Sequence, residues 1–354
     1  MKLVFINDNE RIRKTVGQEV KDGGLSRNFA WEKKLTRSRI ENIVLTNTKA
    51  HILQVFKAFL QKNKTIFSLY PTVGIAILNN GLERRFERFI YFYLIKKAAE
   101  HNRVVFDVCD LKYEQAIDLD VNQDKLDIIK KVENRFFQIE NLYYIFASYT
   151  MRDYAVKKYH IPVDHTDVCI NGSNRLILDN CIDVQFSKDT TYFVYAGTLN
   201  AGRNIEKMID SFPEQSDKCL ILMGINGEWI NEKFKSRSNI KYLGAVAEDK
   251  CHYIVSKCDI GLIPYDENRE YYNVAYPTKL SFYITAGIPI ISTPVKEVLR
   301  VNEEEELGWN CPLESWGSLI EELSYQDIIL KRGFISRIRD NFLWENTLES
   351  VFLK

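Results

Sequence analysis

The chain has 354 residues, of which 45% are hydrophobic and 27% are charged, a globular balance that excludes a disordered or collagen-like protein. Lysine plus arginine and aspartate plus glutamate both number 48, so the net charge gives no support for a dedicated nucleic-acid binder. At roughly 150 residues per domain, this length predicts two domains.

The charge is distributed unevenly along the chain. Residues 1–105 contain 20 Lys/Arg and 9 Asp/Glu, whereas residues 176–354 contain 19 and 27. A basic half suits an anionic partner such as a phosphate group or a membrane surface, although solvated charge without a partner fits the same numbers. The start turns polar after six residues, and the uncharged runs at 65–82 and 280–295 are interrupted by proline and glycine. We therefore expect neither a secretory signal nor a membrane-spanning helix.

Cysteine and histidine are scattered. The seven cysteines form no CxxC pair, and the five histidines form no HExxH motif. An odd, scattered set of cysteines is typical of a reducing compartment, so we expect a cytoplasmic protein, with the inner face of the membrane as an alternative location. The same spacing predicts no protein zinc site. We also expect no bound metal and no cofactor.

In the first half, short β-branched or aromatic runs alternate with amphipathic stretches, which is typical of βα units and a parallel sheet. The predicted strands are Leu3–Asn7, Asn42–Thr46, Thr65–Leu69, Val104–Val108, Tyr143–Ala147 and Thr166–Ile170. The predicted helices are Ala50–Gln61, Leu82–His101, Asp124–Glu140 and Thr150–Tyr159. Asn171-Gly172 ends this series, and the polar segment 173–190 indicates a domain boundary.

The alternation then restarts. The predicted strands are Tyr192–Ala196, Cys219–Met223, Ile240–Leu243, Ile260–Ile263, Pro289–Ser292 and Gly308–Cys311. The predicted helices are Asn204–Ser211, Asp249–Ser256, Thr278–Ala286, Val295–Val301 and Ser315–Leu323, with a helical tail from Tyr325. The sequence thus predicts an α/β protein with two doubly wound domains, at 1–172 and 173–335. Ligands of such sheets bind at the carboxyl ends of the strands, so a cleft between the domains is the expected site.

The first motif is the segment 195–204, Tyr-Ala-Gly-Thr-Leu-Asn-Ala-Gly-Arg-Asn, in which a strand ends at Gly197 and a helix begins near Asn204. Gly197 lets the backbone turn sharply and lets a ligand approach closely. Free N–H groups at the helix start, together with Arg203, predict an anion site. An ordinary βα turn with an exposed arginine is the alternative.

The second motif is the helix that starts at Pro277. Thr278 can cap it, Gly287 can end it, and Lys279 and Tyr283 share one face at i, i+4. A lysine and a tyrosine hydroxyl at a helix N-terminus suit a diphosphate. A capped core helix with Lys279 in solvent is the alternative.

Together the two motifs resemble the donor half of GT-B glycosyltransferases. The Tyr-x-Gly-x-Leu turn with its following basic residue is similar to their first donor-domain turn. The Pro-x-Lys-x-Ser-x-Tyr helix followed by Gly-Ile-Pro-Ile-Ile is similar to a bacterial subgroup of hexosyl- and galactofuranosyltransferases. The resemblance covers most of residues 100–345.

This resemblance implies two Rossmann-like domains, the first for the acceptor and the second for the nucleotide sugar, with residues 336–354 forming a helix that crosses back to the first. Arg203 and Lys279 would bind the donor diphosphate. The other implied donor-site residues are Gly197, Thr198, Thr278 and Tyr283 at the phosphates, and Asn226 and Val246 in the loops that hold base and ribose. Gly23, Gly24 and Ser26 resemble the glycine-rich loop of the first domain, which faces the phosphates and precedes a helix. The chemistry would be metal-independent, because fixed cations and helix dipoles meet the charge of the leaving group.

The sequence departs from this family in one respect. Many retaining members carry Glu-x7-Glu before the Gly-x-Pro segment, and the matching positions here are Val274 and Phe282. The ribose contact would have to come from elsewhere, with Asp266, Glu267 and Glu270 as the alternatives.

Asp107 and Asp110 lie at the end of a predicted strand, where one of them could serve as the general base for an acceptor hydroxyl. A helix or turn cap is the alternative role. The segment Leu82–Lys97 mixes three arginines with aromatic residues and fits either a helix on an anionic membrane or a core helix.

The sequence thus predicts a glycosyltransferase that moves a sugar from a nucleoside-diphosphate donor, most often UDP in this family, to a hydroxyl of a lipid-linked or protein-linked glycan. Two alternatives stay open. One is a non-catalytic, glycan-binding partner subunit of a transferase, which the missing glutamate pair favours. The other is a nucleotide-sugar 2-epimerase on the same fold.

Overall fold

The computed structural model of the protein describes residues 2–7, 23–36, 41–44, 56–70, 83–177, 184–199, 203–215 and 217–352. The chain divides into two compact units. The N-terminal unit comprises Met1–Ile170 and Leu348–Lys354, and the C-terminal unit comprises Asn171–Thr347. The functional assignment of the predicted domains stays a prediction.

The N-terminal unit is built on a six-stranded sheet with the order β2-β1-β3-β4-β5-β6, in which every pairing is parallel. Its strands are β1 (Lys2–Asn7), β2 (Glu41–Val44), β3 (Lys64–Tyr70), β4 (Arg103–Val108), β5 (Leu142–Phe146) and β6 (Thr166–Val168). Its helices are α1 (Gly23–Thr36), α2 (Glu83–Ala99), α3 (Lys112–Asp118), α4 (Gln123–Phe137) and α5 (Tyr149–Tyr159).

The C-terminal unit contains a second six-stranded parallel sheet, with the order β12-β11-β10-β7-β8-β9. Its strands are β7 (Thr191–Ala196), β8 (Lys218–Met223), β9 (Ile240–Tyr242), β10 (Ile260–Ile263), β11 (Ile290–Ser292) and β12 (Gly308–Asn310). Its helices are α6 (Ile205–Asp210), α7 (Glu228–Lys233), α8 (Glu248–Lys257), α9 (Glu270–Val274), α10 (Thr278–Ala286), α11 (Lys296–Glu305), α12 (Trp316–Glu322), α13 (Tyr325–Ile338) and α14 (Trp344–Thr347). The last helix, α15 (Glu349–Phe352), groups with the N-terminal unit.

Local chemistry explains where several helices begin. The Asn122 side chain caps α4 by accepting a hydrogen bond from Lys125 N, and Ser148 caps α5 in the same way. Ser324 and Asp327 form a reciprocal capping box at the start of α13. Each cap satisfies an N–H group that the helix itself leaves without a partner.

A buried carboxylate ties the helices of the N-terminal unit to the end of β3. Both oxygens of Glu133, on α4, accept hydrogen bonds from phenols: Tyr70 at 2.8 Å and Tyr159 at 2.6 Å. The backbone N–H of Lys112 donates to the same carboxylate at 2.7 Å, so Glu133 also orients the start of α3. Burial, followed by the neighbouring Glu114, raises the pKa of Glu133. These contacts assign Glu133 a structural role.

All twelve predicted strands have a counterpart in the two sheets, and the predicted fold class is confirmed. Three short helices, α3, α7 and α9, were not predicted. The predicted helix at 50–61 lies partly outside the described residues, which are helical at 56–59. Gly23 and Gly24 form the first turn of α1 rather than a loop that precedes it, which corrects that expectation.

Candidate active site in the C-terminal unit

The site forms where the strand order of the second sheet reverses. β7 and β10 are neighbours in the sheet. The chain continues from β7 to β8 on one side of this pair and from β10 to β11 on the other side. Gly197 directly follows β7, and Tyr265 follows β10 by two residues. In doubly wound sheets, this switch point at the carboxyl edge is where ligands bind.

Lys279 supplies a buried positive charge at this edge. Its side chain is 8% exposed, and its Nζ donates a hydrogen bond to the Tyr265 hydroxyl at 3.2 Å. The same ammonium lies 4.9 Å from the Tyr195 ring centroid and 5.4 Å from that of Tyr265, which is cation–π distance. Burial by itself lowers the pKa of Lys279, but the Tyr195 and Tyr265 hydroxyls outweigh it, and the pKa lies above its usual value. Within the described part of the chain, no carboxylate forms an ion pair with Lys279.

The Lys279 side chain passes directly beneath the turn after β7. A Cβ on Gly197 would lie 2.6 Å from Lys279 Cε and 2.7 Å from Nζ. Gly197 also has a φ of +148°, a region that side-chain-bearing residues rarely adopt. Two independent features therefore favour glycine at this position: the positive φ of the backbone and the lack of space for a Cβ beside Lys279.

Arg203 adds a second cation to the same phenol cluster. It is half-buried and directly precedes Asn204, the cap residue of α6, which has a φ of 56°. Burial lowers the pKa of Arg203, but Tyr265, Tyr195 and Tyr272 together raise it above its usual value. Because Lys279 and Arg203 interact with the same two phenols, Tyr195 and Tyr265, the predicted pair of cations lies in one site.

Tyr265 is a residue of this site that the sequence analysis missed. It is 9% exposed and stacks on Tyr272 with ring centroids 4.6 Å apart and planes inclined by 20°. Burial raises the pKa of its hydroxyl, whereas Lys279 and Arg203 lower it, and the net effect is a lowered pKa. Its position just after a strand in the doubly wound series was the signal available in the sequence.

The loops expected to hold base and ribose lie beside the Gly197 turn. Gly224 follows β8 with a φ of +151°, and a Cβ there would lie 1.8 Å from Gly197 O. Leu199 N donates to Ile225 O at 3.0 Å, which joins the two loops. Asn226, with a φ of 63°, is exposed at the tip of this loop.

The next loop along the sheet carries the other base-and-ribose residue. Val246 is half-buried and lies two residues before α8. Gly244, in the same loop, accepts a hydrogen bond from Gly224 N at 2.8 Å. The base and ribose contacts of these loops stay a prediction.

The structure corrects two expectations for α10, the phosphate contact of Tyr283 and the side-chain cap of Thr278. The Tyr283 hydroxyl is fully buried, accepts from Ala196 N at 3.0 Å and donates to Leu262 O at 3.3 Å. It therefore joins β7 to β10 and has no hydrogen left for a phosphate. Thr278 is the first residue of α10 and Pro277 occupies the cap position, so Thr278 makes no side-chain cap. Thr278 and Thr198 are both half-buried, and their phosphate contacts stay predictions.

The positions of the missing glutamates are filled by apolar contacts. Val274 is buried at the end of α9, and Phe282 stacks on His252 with centroids 4.4 Å apart. Of the alternative carboxylates, Asp266 accepts hydrogen bonds from Asn268 N and Nδ2 at 3.1 and 3.2 Å, which makes it part of a local turn. Glu270 lies 3.7 Å from Lys296 Nζ, and a ribose contact by Glu267 or Glu270 stays a prediction.

In the N-terminal unit, Asp107 is not placed as a free base. It is 1% exposed, and its two oxygens accept hydrogen bonds from Arg27 Nε at 2.8 Å and Nη2 at 2.6 Å. Arg27 Nη1 also donates to Cys169 O at 2.7 Å, so this pair links α1, β4 and the chain after β6. The arrangement favours a structural role for Asp107.

Asp110 is one-fifth exposed, and its carboxylate lies 3.5 Å from Lys112 Nζ. It is therefore the more accessible of the two predicted bases. Ser26 is half-buried within the first turns of α1. The roles of both residues stay predictions.

Helix α2 has one buried and one exposed face over residues 89–99. Tyr91, Phe92, Leu94 and Ile95 are buried, as a core helix requires. Phe89 and Tyr93 are 58% and 55% exposed and share the outer face with Lys96. The arginine side chains of the predicted membrane segment lie outside the described residues.

The part of the chain that forms this site matches a known family model. Residues 193–311, which include the Gly197 turn, Tyr265 and Lys279, match the family model described as Glucosyltransferase 3-like, C-terminal domain. The probable glycosyltransferase WbjE of Pseudomonas aeruginosa is 26% identical over 96 residues, which are 26% of this chain. That match spans 24%, about a quarter, of the length of WbjE.

Solved structures match over nearly the whole chain. Sucrose-phosphate synthase of Thermosynechococcus elongatus has a TM-score of 0.66 at 11% identity, covering 100% of this chain and 98% of that one. Anabaena HepE in complex with UDP has a TM-score of 0.61 at 13% identity, with 99% and 98% covered. WaaG, a glycosyltransferase involved in lipopolysaccharide biosynthesis, has a TM-score of 0.56 at 12% identity, with 98% of each chain covered.

The chain has the GT-B fold of the glycosyltransferases. The family-model match falls entirely within the C-terminal unit of this GT-B protein. Among the described residues, no three histidine, cysteine or carboxylate side chains cluster as metal ligands would. No helix within the same ranges is both long and apolar enough to cross a membrane.

Proposed function

We propose that the protein is a glycosyltransferase that moves a sugar from a nucleoside-diphosphate donor, a UDP-sugar, to a hydroxyl of a glycan acceptor. The observation that carries this proposal is the Lys279 ammonium, which is buried at the switch point and which, among the residues that the structure describes, has phenols rather than a carboxylate as neighbours. Phenols stabilise the buried ammonium without neutralising it, so its positive charge stays available to an anionic ligand. Two of the structural neighbours support the choice of donor, since HepE is described in complex with UDP and with UDP-glucose.

In this proposal, the bond between the sugar and the distal phosphate of the donor breaks while the acceptor oxygen bonds to the same sugar carbon. The leaving nucleoside diphosphate gains negative charge, which Lys279 and Arg203 stabilise by fixed positive charge in a water-poor site. The acceptor proton passes to a base in an inverting reaction, and Asp110 is the candidate that remains accessible. We propose metal-independent chemistry because two protein cations already face the leaving group.

Binding of nucleotides by isothermal titration calorimetry tests the donor site. UDP, GDP and ADP would be titrated with and without EDTA into the wild-type protein, Lys279→Met and Lys257→Met. Lys257 is the matched control because its ammonium also lies over an aromatic ring, 5.2 Å from the Tyr253 centroid, but at the surface. We expect one nucleotide to bind independently of EDTA, and Lys279→Met to weaken it on the order of 100-fold.

The same titration separates the alternatives. If no nucleotide binds, the transferase proposal fails and a glycan-binding partner subunit becomes the better account. If a nucleotide binds but EDTA abolishes binding, the metal-independent part is wrong. Release of free UDP from a UDP-sugar in the presence of an acceptor would argue against a 2-epimerase.

We also propose that the outer face of α2 contacts an anionic membrane near a lipid-linked acceptor. Two exposed aromatic rings one turn apart, Phe89 and Tyr93, flanked by Lys96, fit the interface of an acidic bilayer. Co-sedimentation with vesicles that contain phosphatidylglycerol should decrease in a Phe89→Ser, Tyr93→Ser double variant. Leu60→Ser, which changes an apolar side chain that is 65% exposed, is the control and should leave co-sedimentation unchanged.

A further inference from the structure

The Tyr265 hydroxyl carries a hydrogen for which no described residue is an acceptor. Its oxygen accepts from Lys279 Nζ at 3.2 Å, so its own hydrogen points elsewhere. Within the described part of the C-terminal unit, no oxygen or nitrogen accepts that hydrogen. The side chain is 9% exposed. A nearly buried donor without an acceptor is costly, and such groups are commonly completed by a ligand.

The ring is held rigidly, so the direction of this donor is fixed. It stacks on Tyr272 with centroids 4.6 Å apart, and its backbone oxygen accepts from Thr293 Oγ1 at 2.5 Å. Pro264 precedes it and restricts the backbone at the end of β10. A donor oriented before the ligand arrives loses little conformational entropy on binding.

We propose that Tyr265 is a donor-binding residue whose hydroxyl donates a hydrogen bond to an oxygen of the same diphosphate that Lys279 binds. This inference rests on the proposed function, because it adds a third ligand to that site. The phenol accepts from the ammonium and donates to the phosphate, which places one hydroxyl as a bridge between cation and anion. The same hydroxyl thus holds the Lys279 ammonium in position and also binds the ligand.

The charged and titratable groups around the phenol give this role a pH dependence. Lys279 approaches from α10, Arg203 from the turn before α6, Tyr195 from β7 and Tyr272 from α9. The two cations lower the pKa of Tyr265 below that of an ordinary tyrosine, despite burial. An ionised phenol cannot donate and repels phosphate, so UDP affinity should fall as the pH rises toward about 10, the usual phenol value.

Titration of UDP and of uridine into wild type, Tyr265→Phe and Tyr276→Phe tests the proposal. Tyr265→Phe keeps the ring and its stacking and removes only the hydroxyl. We expect it to weaken UDP binding about 10- to 100-fold, the range for a hydrogen bond to a charged group, and to leave uridine binding unchanged. Tyr276→Phe is the control, because it removes an equally buried hydroxyl that bonds Ser281 at 2.9 Å, and it should bind UDP like wild type. The alkaline loss of affinity should be present in wild type and absent in Tyr265→Phe.

The outcomes for this inference and for the proposed function can be told apart. If wild type binds UDP in a Lys279-dependent way but Tyr265→Phe binds it equally well at every pH, the inference is overturned and the proposed function stands. If wild type binds no nucleotide, the proposed function fails and takes this inference with it. Should Tyr265→Phe not fold, tyrosinate absorbance of wild type decides: UDP should move the ionisation of one tyrosine to higher pH, and no movement overturns the inference.

Discussion

Replacing Gly197 by alanine tests whether the turn after β7 positions the buried lysine. The added Cβ would lie 2.6 Å from Lys279 Cε and 2.7 Å from Nζ, where ordinary contacts begin near 3.4 Å. Because the backbone cannot move away without disturbing β7, the lysine end must shift by ~0.7 Å. The hydrogen bond from Lys279 to Tyr265, already 3.2 Å long, would then be lost.

The two costs of Gly197→Ala appear in different measurements. An alanine held at a φ of +148° costs on the order of 1–3 kcal/mol of folding free energy. For a domain of this size, that lowers the melting temperature by roughly 2–10 °C. Loss of the positioned ammonium weakens the contact with a charged ligand by about 1.5–3 kcal/mol, which is about 10- to 100-fold in the Kd for UDP.

Gly287→Ala is the control that introduces backbone strain without displacing Lys279. Gly287 also has a positive φ, +86°, but a Cβ there would meet only Arg339 Nη1, at an ordinary contact distance of 3.7 Å. We therefore expect a lower melting temperature by differential scanning fluorimetry and an unchanged Kd for UDP by calorimetry. If Gly197→Ala matches this control in both assays, the contact between the turn and Lys279 does not position the charge, and that reasoning is wrong.

The structure also predicts how three further substitutions change the stability of the protein. Lys279→Met should lower the melting temperature of the unliganded protein, because the raised pKa of Lys279 means that its contacts with Tyr195 and Tyr265 outweigh the cost of burial; an equal or higher melting temperature would show that the phenols do not compensate the buried charge. Asp107→Asn should cost about 3–5 kcal/mol in urea unfolding, because it leaves buried Arg27 unpaired, and should not change the Kd for UDP; normal stability with lost turnover would instead support a catalytic base. Burial lowers the pKa of His252 to about 4, so between pH 6.5 and 4 the unfolded chain takes up the proton first and stability falls with falling pH. The loss is about 3 kcal/mol, and His252→Gln should flatten that part of the urea-unfolding profile.

Much of the fold followed from alternation along the chain. The buried parallel strands are short apolar runs, and each amphipathic stretch between them supplies a helix, so residue patterns predicted all twelve strands. The short helices α3, α7 and α9 escaped prediction because five to seven residues contain too few turns to give a clear period. Their positions depend on tertiary contacts, such as the Glu133 carboxylate that binds the start of α3.

The site was predicted in part for a similar reason. Gly197 and Lys279 lie in local motifs whose residue types reflect backbone geometry and charge. Tyr283 matched the same helical face as Lys279, but one more turn along α10 carries its hydroxyl beneath the sheet edge to Ala196 and Leu262. Spacing gives the face of a helix, whereas the depth at which a side chain ends depends on the strands that cover it.

Each unit contains a buried cation, but the neighbours of the two cations differ in charge, and this difference bears on function. Arg27 is fully buried and neutralised by both oxygens of Asp107, so its charge is not available to a ligand. Lys279 is almost as buried, but its neighbours are the phenols of Tyr195 and Tyr265. A phenol holds an ammonium by its oxygen and its ring face without cancelling the charge, whereas a carboxylate would compete with the ligand. Tyrosine therefore fits a site that must keep a lysine in place and still attract a diphosphate.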